Sequence, residues 1–217
     1  MTSSRRRNSF VRMRTASKTR TVGRPRKFDS DQVINLALKA FWMHGYDGTS
    51  IRSLESATGL AAPSLYGVFG NKQRLFKTCV ESYRKKTRPI HDKALSQPDS
   101  RRVAKCCLEG VVEHMTSKDY PEGCLVILGA SVSSASSDPI RHYLKKIMSG
   151  LTLRYAKRFE RSIKEGDLPK NADPSALANY LIMLDRGLAL QAKAGDTRSE
   201  LLKTVSIAVS NWPCPDH

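Results

Sequence analysis

Apolar residues recur every three to four positions between Asp29 and Pro213, and no useful stretch alternates with period two. That spacing puts side chains on one face of an α-helix, so the chain is expected to be all-α, with about nine helices. Capping residues mark the breaks. Asp29, with Gln32 three positions on, resembles a capping box and opens a segment carrying Val33, Ile34, Ala37, Leu38 and Phe41, ended by Gly45. Thr49 or Ser50 caps a short second helix with Ile51 and Leu54, and Gly59 stands where a left-handed residue would close it. Pro63 falls in the first turn of a short third helix, where its missing N–H does no harm. Asn71 caps a fourth, with Leu75, Phe76, Cys79, Val80 and Tyr83 at helical spacing.

The second half keeps the pattern. Val103, Ala104, Cys107, Leu108, Val111, Val112 and Met115 form one stripe, and the run from Cys124 to Ala130 is apolar all round, as a central buried helix would be. Asp138-Pro139 and Asp173-Pro174 each read as an N-cap followed by Pro at the first helical position. The first launches Ile140, Leu144, Ile147 and Leu151; the second launches Leu177, Leu181, Leu184 and Leu188. Thr197 with Glu200 is a full capping box ahead of a last helix.

Three short helices in about 42 residues, the last two joined by the tight turn Thr58-Gly59-Leu60-Ala61, make a helix-turn-helix arrangement. Its third helix would offer its first residues to a DNA major groove while Leu54, Leu60, Leu65 and Phe69 pack behind. The stretches Ala40-Phe41 through Gly45-Tyr46-Asp47-Gly48-Thr49, Ser50-Ile51-Arg52-Ser53-Leu54, Gly59-Leu60 and Pro63 through Lys72 closely resemble the N-terminal domain of the TetR family of bacterial transcriptional regulators (TetR/AcrR type). Pro121-Glu122-Gly123-Cys124-Leu125 is similar to a segment in the ligand-binding domains of one subset of that family.

The run of cations ahead of Asp29 marks off a basic arm (1–27), and the resemblance implies a DNA-binding domain (28–88) and a ligand-binding and dimerisation domain (89–217). It implies that Ser50 and Arg52 meet DNA from the second helix, and that Ala62, Pro63, Ser64 and Gly67 form the exposed start of the recognition helix. Tyr66 and Lys72 take the places of phosphate contacts, Tyr66 being expected to point away from Leu65 and Phe69. The recognition surface departs from the family in its small side chains. These can touch a thymine methyl but make no bidentate contact to guanine, which leaves Arg52 as the candidate for strong direct readout.

Charge supports a polyanionic partner. Lys and Arg number 37 against 20 Asp and Glu, a formal net charge of +17, and ten of those cations precede the first acid, Asp29. An arm with so little apolar surface is expected to be disordered alone, and to follow phosphates or enter a minor groove on DNA. An organelle transit peptide and a translation start at Met13 are the competing readings of the arm. No apolar run approaches the roughly 20 residues of a membrane helix. Cys79, Cys106, Cys107, Cys124 and Cys214 are odd in number and irregularly spaced, which points to a reducing, cytoplasmic setting rather than a disulfide framework. No His pair has ligand spacing, adjacent Cys106 and Cys107 point about 100° apart on a helix, and none of the common catalytic motifs occurs. Neither metal, cofactor nor enzymatic activity is expected.

The chain is therefore expected to be a homodimeric repressor, paired through 174–194 and 198–212, that leaves a palindromic double-stranded DNA operator when a small molecule binds. The apolar faces of 103–115, 123–130, 139–163 and 174–190 supply candidate pocket walls in Val111, Met115, Cys124, Leu125, Leu128, Met148, Tyr155, Tyr180 and Met183. With no ion-pair partner evident among them, a neutral or weakly polar hydrophobic effector is expected. A thiol- or metal-responsive regulator of the same fold, with Cys124 as the reporter, and a nonspecific architectural nucleic-acid binder are the alternatives.

Overall fold

The computed structural model describes residues 29–131 and 138–213; the basic arm 1–27, Met13, Cys214 and His217 lie outside them. Among the described residues there are nine helices and no strand: α1 (Ser30–Gly48), α2 (Ile51–Thr58), α3 (Ala62–Phe69), α4 (Lys72–Leu95), α5 (Ser100–Met115), α6 (Leu125–Ser131), α7 (Asp138–Lys164), α8 (Pro174–Ala194) and α9 (Arg198–Ser210).

The caps explain most of these bounds. Asp29 is the N-cap as expected, but its carboxylate accepts the Asp31 N–H, at 2.9 Å, rather than the Gln32 N–H that a capping box would use. Thr197 and Glu200 form the full reciprocal box. Gly45 interrupts α1 with φ 70° and ψ 176°, a conformation that a side chain would strain. Thr49 and Ser50 divide the work after it. Thr49 is buried and donates its hydroxyl to the Gly45 carbonyl at 2.6 Å, while Ser50 accepts the Ser53 N–H at 3.0 Å and starts α2.

Two cores form. The first gathers Phe41, Leu54, Leu65, Leu75 and Phe76, all without exposed surface, and Phe41 meets Phe76 edge to face at 5.0 Å. Each such side chain stabilises the fold by about 1.5–3 kcal/mol. The second is built on α5, α7, α8 and α9 around Leu108, Tyr155, Phe159, Leu181 and Leu201. The boundary expected at 88 falls inside α4, one residue before Pro89, and the cores do not divide there. Leu125 and Val126 of α6 and Ile140 and Leu144 of α7 pack into the first core with α1 and α4. The α4–α5 corner is pinned from outside its own sequence. Arg158 of α7, 5% exposed, donates to the carbonyls of Gln97 (2.8 Å) and Pro98 (3.0 Å), and Asp167 accepts the Ser100 N–H at 2.6 Å.

Candidate DNA-contacting surface and ligand cavity

The turn between α2 and α3 is built by backbone chemistry. Gly59 takes φ 69° and donates its N–H to Glu55 O at 2.9 Å, closing α2. Helix α3 begins at an Ala N-cap that has no side-chain acceptor to offer. Glu55, one helix earlier, supplies it, its Oε1 accepting the Ala62 N–H at 2.6 Å. This carboxylate fixes the angle between the two helices and has no signature in sequence, because it acts across the turn. Replacing Glu55 with Ala should cost about 1 kcal/mol by the ordinary worth of a cap and weaken DNA binding, while Gln retains most of both. Thermal melts read beside a DNA titration check this; unchanged melting would show that the Glu55 cap adds nothing to stability.

Helix α3 presents Pro63, Ser64, Gly67 and Val68 outward, with Ala62 half-buried. Ser64, Gly67 and Val68 share one face at helical spacing, and Val68, 51% exposed, is an apolar member that the sequence reading missed. Arg52 on α2 is exposed and makes no ion pair with any described residue. Ser50 is exposed, but its hydroxyl is committed to capping. Tyr66 does not stand clear of the core as expected: it is half-buried against it, and burial with the nearby Glu55 raises its pKa. Lys72 lies 4.5 Å from the Tyr46 ring centroid, where burial lowers its pKa and Asp47 opposes that shift. Arg74 and Lys77 of α4 flank the groove beside Tyr66 and Gly70, adding cations that spacing alone had not selected.

A cavity of about 600 Å³ lies between α4, α5, α6, α7 and α8. Of the candidate wall residues, Val111, Met115, Cys124 and Met148 line this cavity and Leu125, Leu128, Tyr155, Tyr180 and Met183 do not. Leu125 and Leu128 pack into the first core, and Tyr155 is fully buried behind the wall, its hydroxyl 3.0 Å from His91 Nδ1. Tyr180 and Met183 face outward, 40% and 66% exposed. Helix α8 is apolar on two faces, and the leucine stripe has taken the inner one: Leu181 and Leu188 are buried and Leu177 and Leu184 pack against the same core.

The expectation of an uncharged wall is also overturned. Asp185, Arg186, Lys146, Arg154, His91 and His114 all line the cavity. Burial pushes Asp185 up to about 7 and His91 down to about 4. Burial likewise holds Cys124 at about 11 and Cys79 at about 12, and drives Cys107 further up, so these thiols stay protonated at neutral pH. Among the described residues no group of His, Cys, Asp and Glu could hold a metal ion. Nor is any described helix long and apolar enough to cross a membrane.

The cavity connects to the DNA-facing half through aromatic contacts. Trp42 of α1 stacks on Tyr120 (5.8 Å, 15°), meets Tyr83 edge to face (4.8 Å, 84°) and lies 6.0 Å from His114. Tyr83 and His114 are themselves cavity-lining.

A helix-turn-helix with an exposed recognition helix, joined by α4 to a helical bundle around a cavity, defines the class of ligand-binding DNA regulators. Residues 33–79 match the model for bacterial regulatory proteins of the tetR family, and residues 101–206 match the tetracyclin repressor-like C-terminal domain. The chain is 30% identical over 201 residues to the HTH-type transcriptional repressor ComR of Escherichia coli, spanning 88% of this chain and 92% of that protein. It is 26% identical to the repressor BdcR of the same organism over 90% of this chain and 95% of that one. Its fold superposes with a TM-score of 0.83, at 33% identity, on a cysteine mutant of the TetR family regulator CifR solved with 26-base-pair operator DNA, covering 88% of this chain and all of that one. The chain belongs to the TetR family: it is a DNA-binding transcriptional repressor and not an enzyme.

Proposed function

We propose that the protein represses by binding a near-palindromic operator as a homodimer and is released by a small molecule in the α4–α8 cavity. The observation that carries this reading is the continuity of α4, which begins beside the recognition helix with Lys72 and lines the cavity from Tyr83 to His91. Occupancy that shifts α4 changes the spacing of two reading heads. Trp42, packed on Tyr83 and His114, gives α1 a second route to the same event. Ser50, Arg52, Ala62, Pro63, Ser64, Tyr66, Gly67 and Lys72 remain the residues assigned to DNA, with Val68, Arg74 and Lys77 added. Protonated thiols at Cys107 and Cys124 favour a pocket over a thiol switch.

The pairing surface is assigned to the outer face of α8 and α9, where Tyr180, Met183, Leu190 and Ile207 expose 40–66% of their surface. A closed dimer repeats its contacts, so selection from a random DNA pool should enrich inverted repeats. Enrichment of only asymmetric or featureless sequences would count against the dimer. Met183→Asp with Ile207→Asp should give a monomer by sedimentation and lose operator binding at concentrations where the parent binds fully. A double variant that stays dimeric would move the interface elsewhere.

A further inference from the structure

The cavity contains an acid with one buried oxygen that no other described residue satisfies. Asp185 lines it from α8, is 6% exposed, and has its Oδ1 buried with no hydrogen-bond partner. The groups that reach it electrostatically come from each helix around it: Tyr83 of α4, Cys107 of α5, Cys124 before α6, Tyr155 of α7 and Arg186 of α8. The hydroxyls are committed elsewhere. Tyr83 donates to Cys124 Sγ at 3.3 Å, and Tyr155 pairs with His91 at 3.0 Å. A buried carboxyl with an orphaned oxygen is costly even in a mixed wall, and its retention points to a donor that arrives with the ligand.

The cations around the cavity do not supply that donor. Arg84 pairs with Glu81 at 3.0 Å, and Arg88 and Arg154 share Asp92; these arginine side chains are 42–74% exposed, so solvent screens them. Lys146 is exposed as well. Arg186 is next to Asp185 in sequence, yet the two make no ion pair. His91 and His114 are held towards neutrality by burial. Tyr83 and Tyr143 line the same wall, but Lys77 already sits 5.3 Å from the Tyr143 ring centroid. Hydrocarbon is accommodated by Val111, Met115, Ile127, Ile147 and Ile182.

We propose that Asp185 anchors the effector and that the effector is a hydrophobic amine, its ammonium donating to the Asp185 carboxylate while its apolar body fills the cavity. The inference rests on the reading of this cavity as the effector site. It narrows that reading from any hydrophobic compound to one with a charged donor at its buried end. A proton competes with the ammonium for the same carboxylate, so affinity falls as pH is lowered through about 7.

The test is calorimetric titration of the full-length protein with three probes of equal chain length, 1-aminodecane, 1-decanol and decanoate, at pH 8 and pH 6. The amine should bind at least about tenfold tighter than either other probe at pH 8 and lose about tenfold between pH 8 and pH 6. Asp185→Asn keeps the shape and removes the charge; it should cost the amine about tenfold or more and leave decanol nearly unchanged. The wild-type pH series needs no variant and decides the matter even if the substitution unfolds the protein. Preferential binding of decanoate, or an amine affinity indifferent to pH and to Asp185→Asn, overturns the amine and leaves the cavity as a ligand site. Failure of all three probes to bind overturns the cavity reading along with it.

Discussion

Removing residues 1–27 is expected to flatten the salt dependence of operator binding more than any single substitution in the helix-turn-helix. The segment carries ten cations and no acid. Each phosphate neutralised contributes about 0.9 to the slope of log affinity against log salt. If half of the ten engage, the truncated protein has a slope shallower by about 4.5. The full-length protein then loses several hundredfold more affinity than the truncated one between about 50 and 200 mM salt. The preferred DNA sequence should hardly change, because phosphate contacts position the protein without specifying bases. Anisotropy titrations over a salt series measure both quantities. Equal slopes would make the arm a bystander.

The second large effect concerns stability against pH, where two buried groups oppose one another. Asp185 is raised from 3.8 to about 7 by burial, opposed by Arg186. The native state therefore binds a proton that the unfolded chain releases between pH 4 and 7, and this group's contribution falls as pH rises through that window, by about 4 kcal/mol. His91 is lowered from 6.5 to about 4 by burial, with Arg154 adding to the shift and Asp92 opposing it. Its contribution is present above pH 6.5 and is lost on acidification towards 4, by about 3 kcal/mol. His114, also lowered by burial, acts in the same sense. The wild-type profile across this range should consequently be shallow. Asp185→Asn leaves the histidines unopposed, so its stability relative to wild type should be highest near pH 8 and decline by about 4 kcal/mol towards pH 4. Denaturant unfolding of both proteins at one protein concentration reads the difference directly. Parallel profiles would show that Asp185 ionises as an ordinary surface acid.

Stability and ligand binding meet at one side chain: Asp185 destabilises the empty protein at neutral pH, and a ligand that satisfies it recovers that loss.

Period, caps and turn residues determined the helices. Asp29, Asn71, Asp173 and Thr197 with Glu200 announce helix starts, and Gly45 and Gly59 announce stops, because capping and left-handed turns are local chemistry written within a few residues. The recognition helix was legible for the same reason, together with a run of residues that resembles one family closely. Which face of a helix turns inward was not legible where both faces are apolar. On α8 the leucine stripe went to the core, leaving Tyr180 and Met183 outside, and Leu128 and Tyr155 packed behind the cavity wall rather than on it. The polar lining escaped notice because Asp185 and Arg186 look in sequence like the solvent face of an amphipathic helix. Glu55 escaped because its partner, the Ala62 N–H, lies across a turn. Sequence alone decided what depends on neighbours along the chain; the environment of a charge, and the choice between two usable faces, depend on which helices pack around it, and only the tertiary structure decided those.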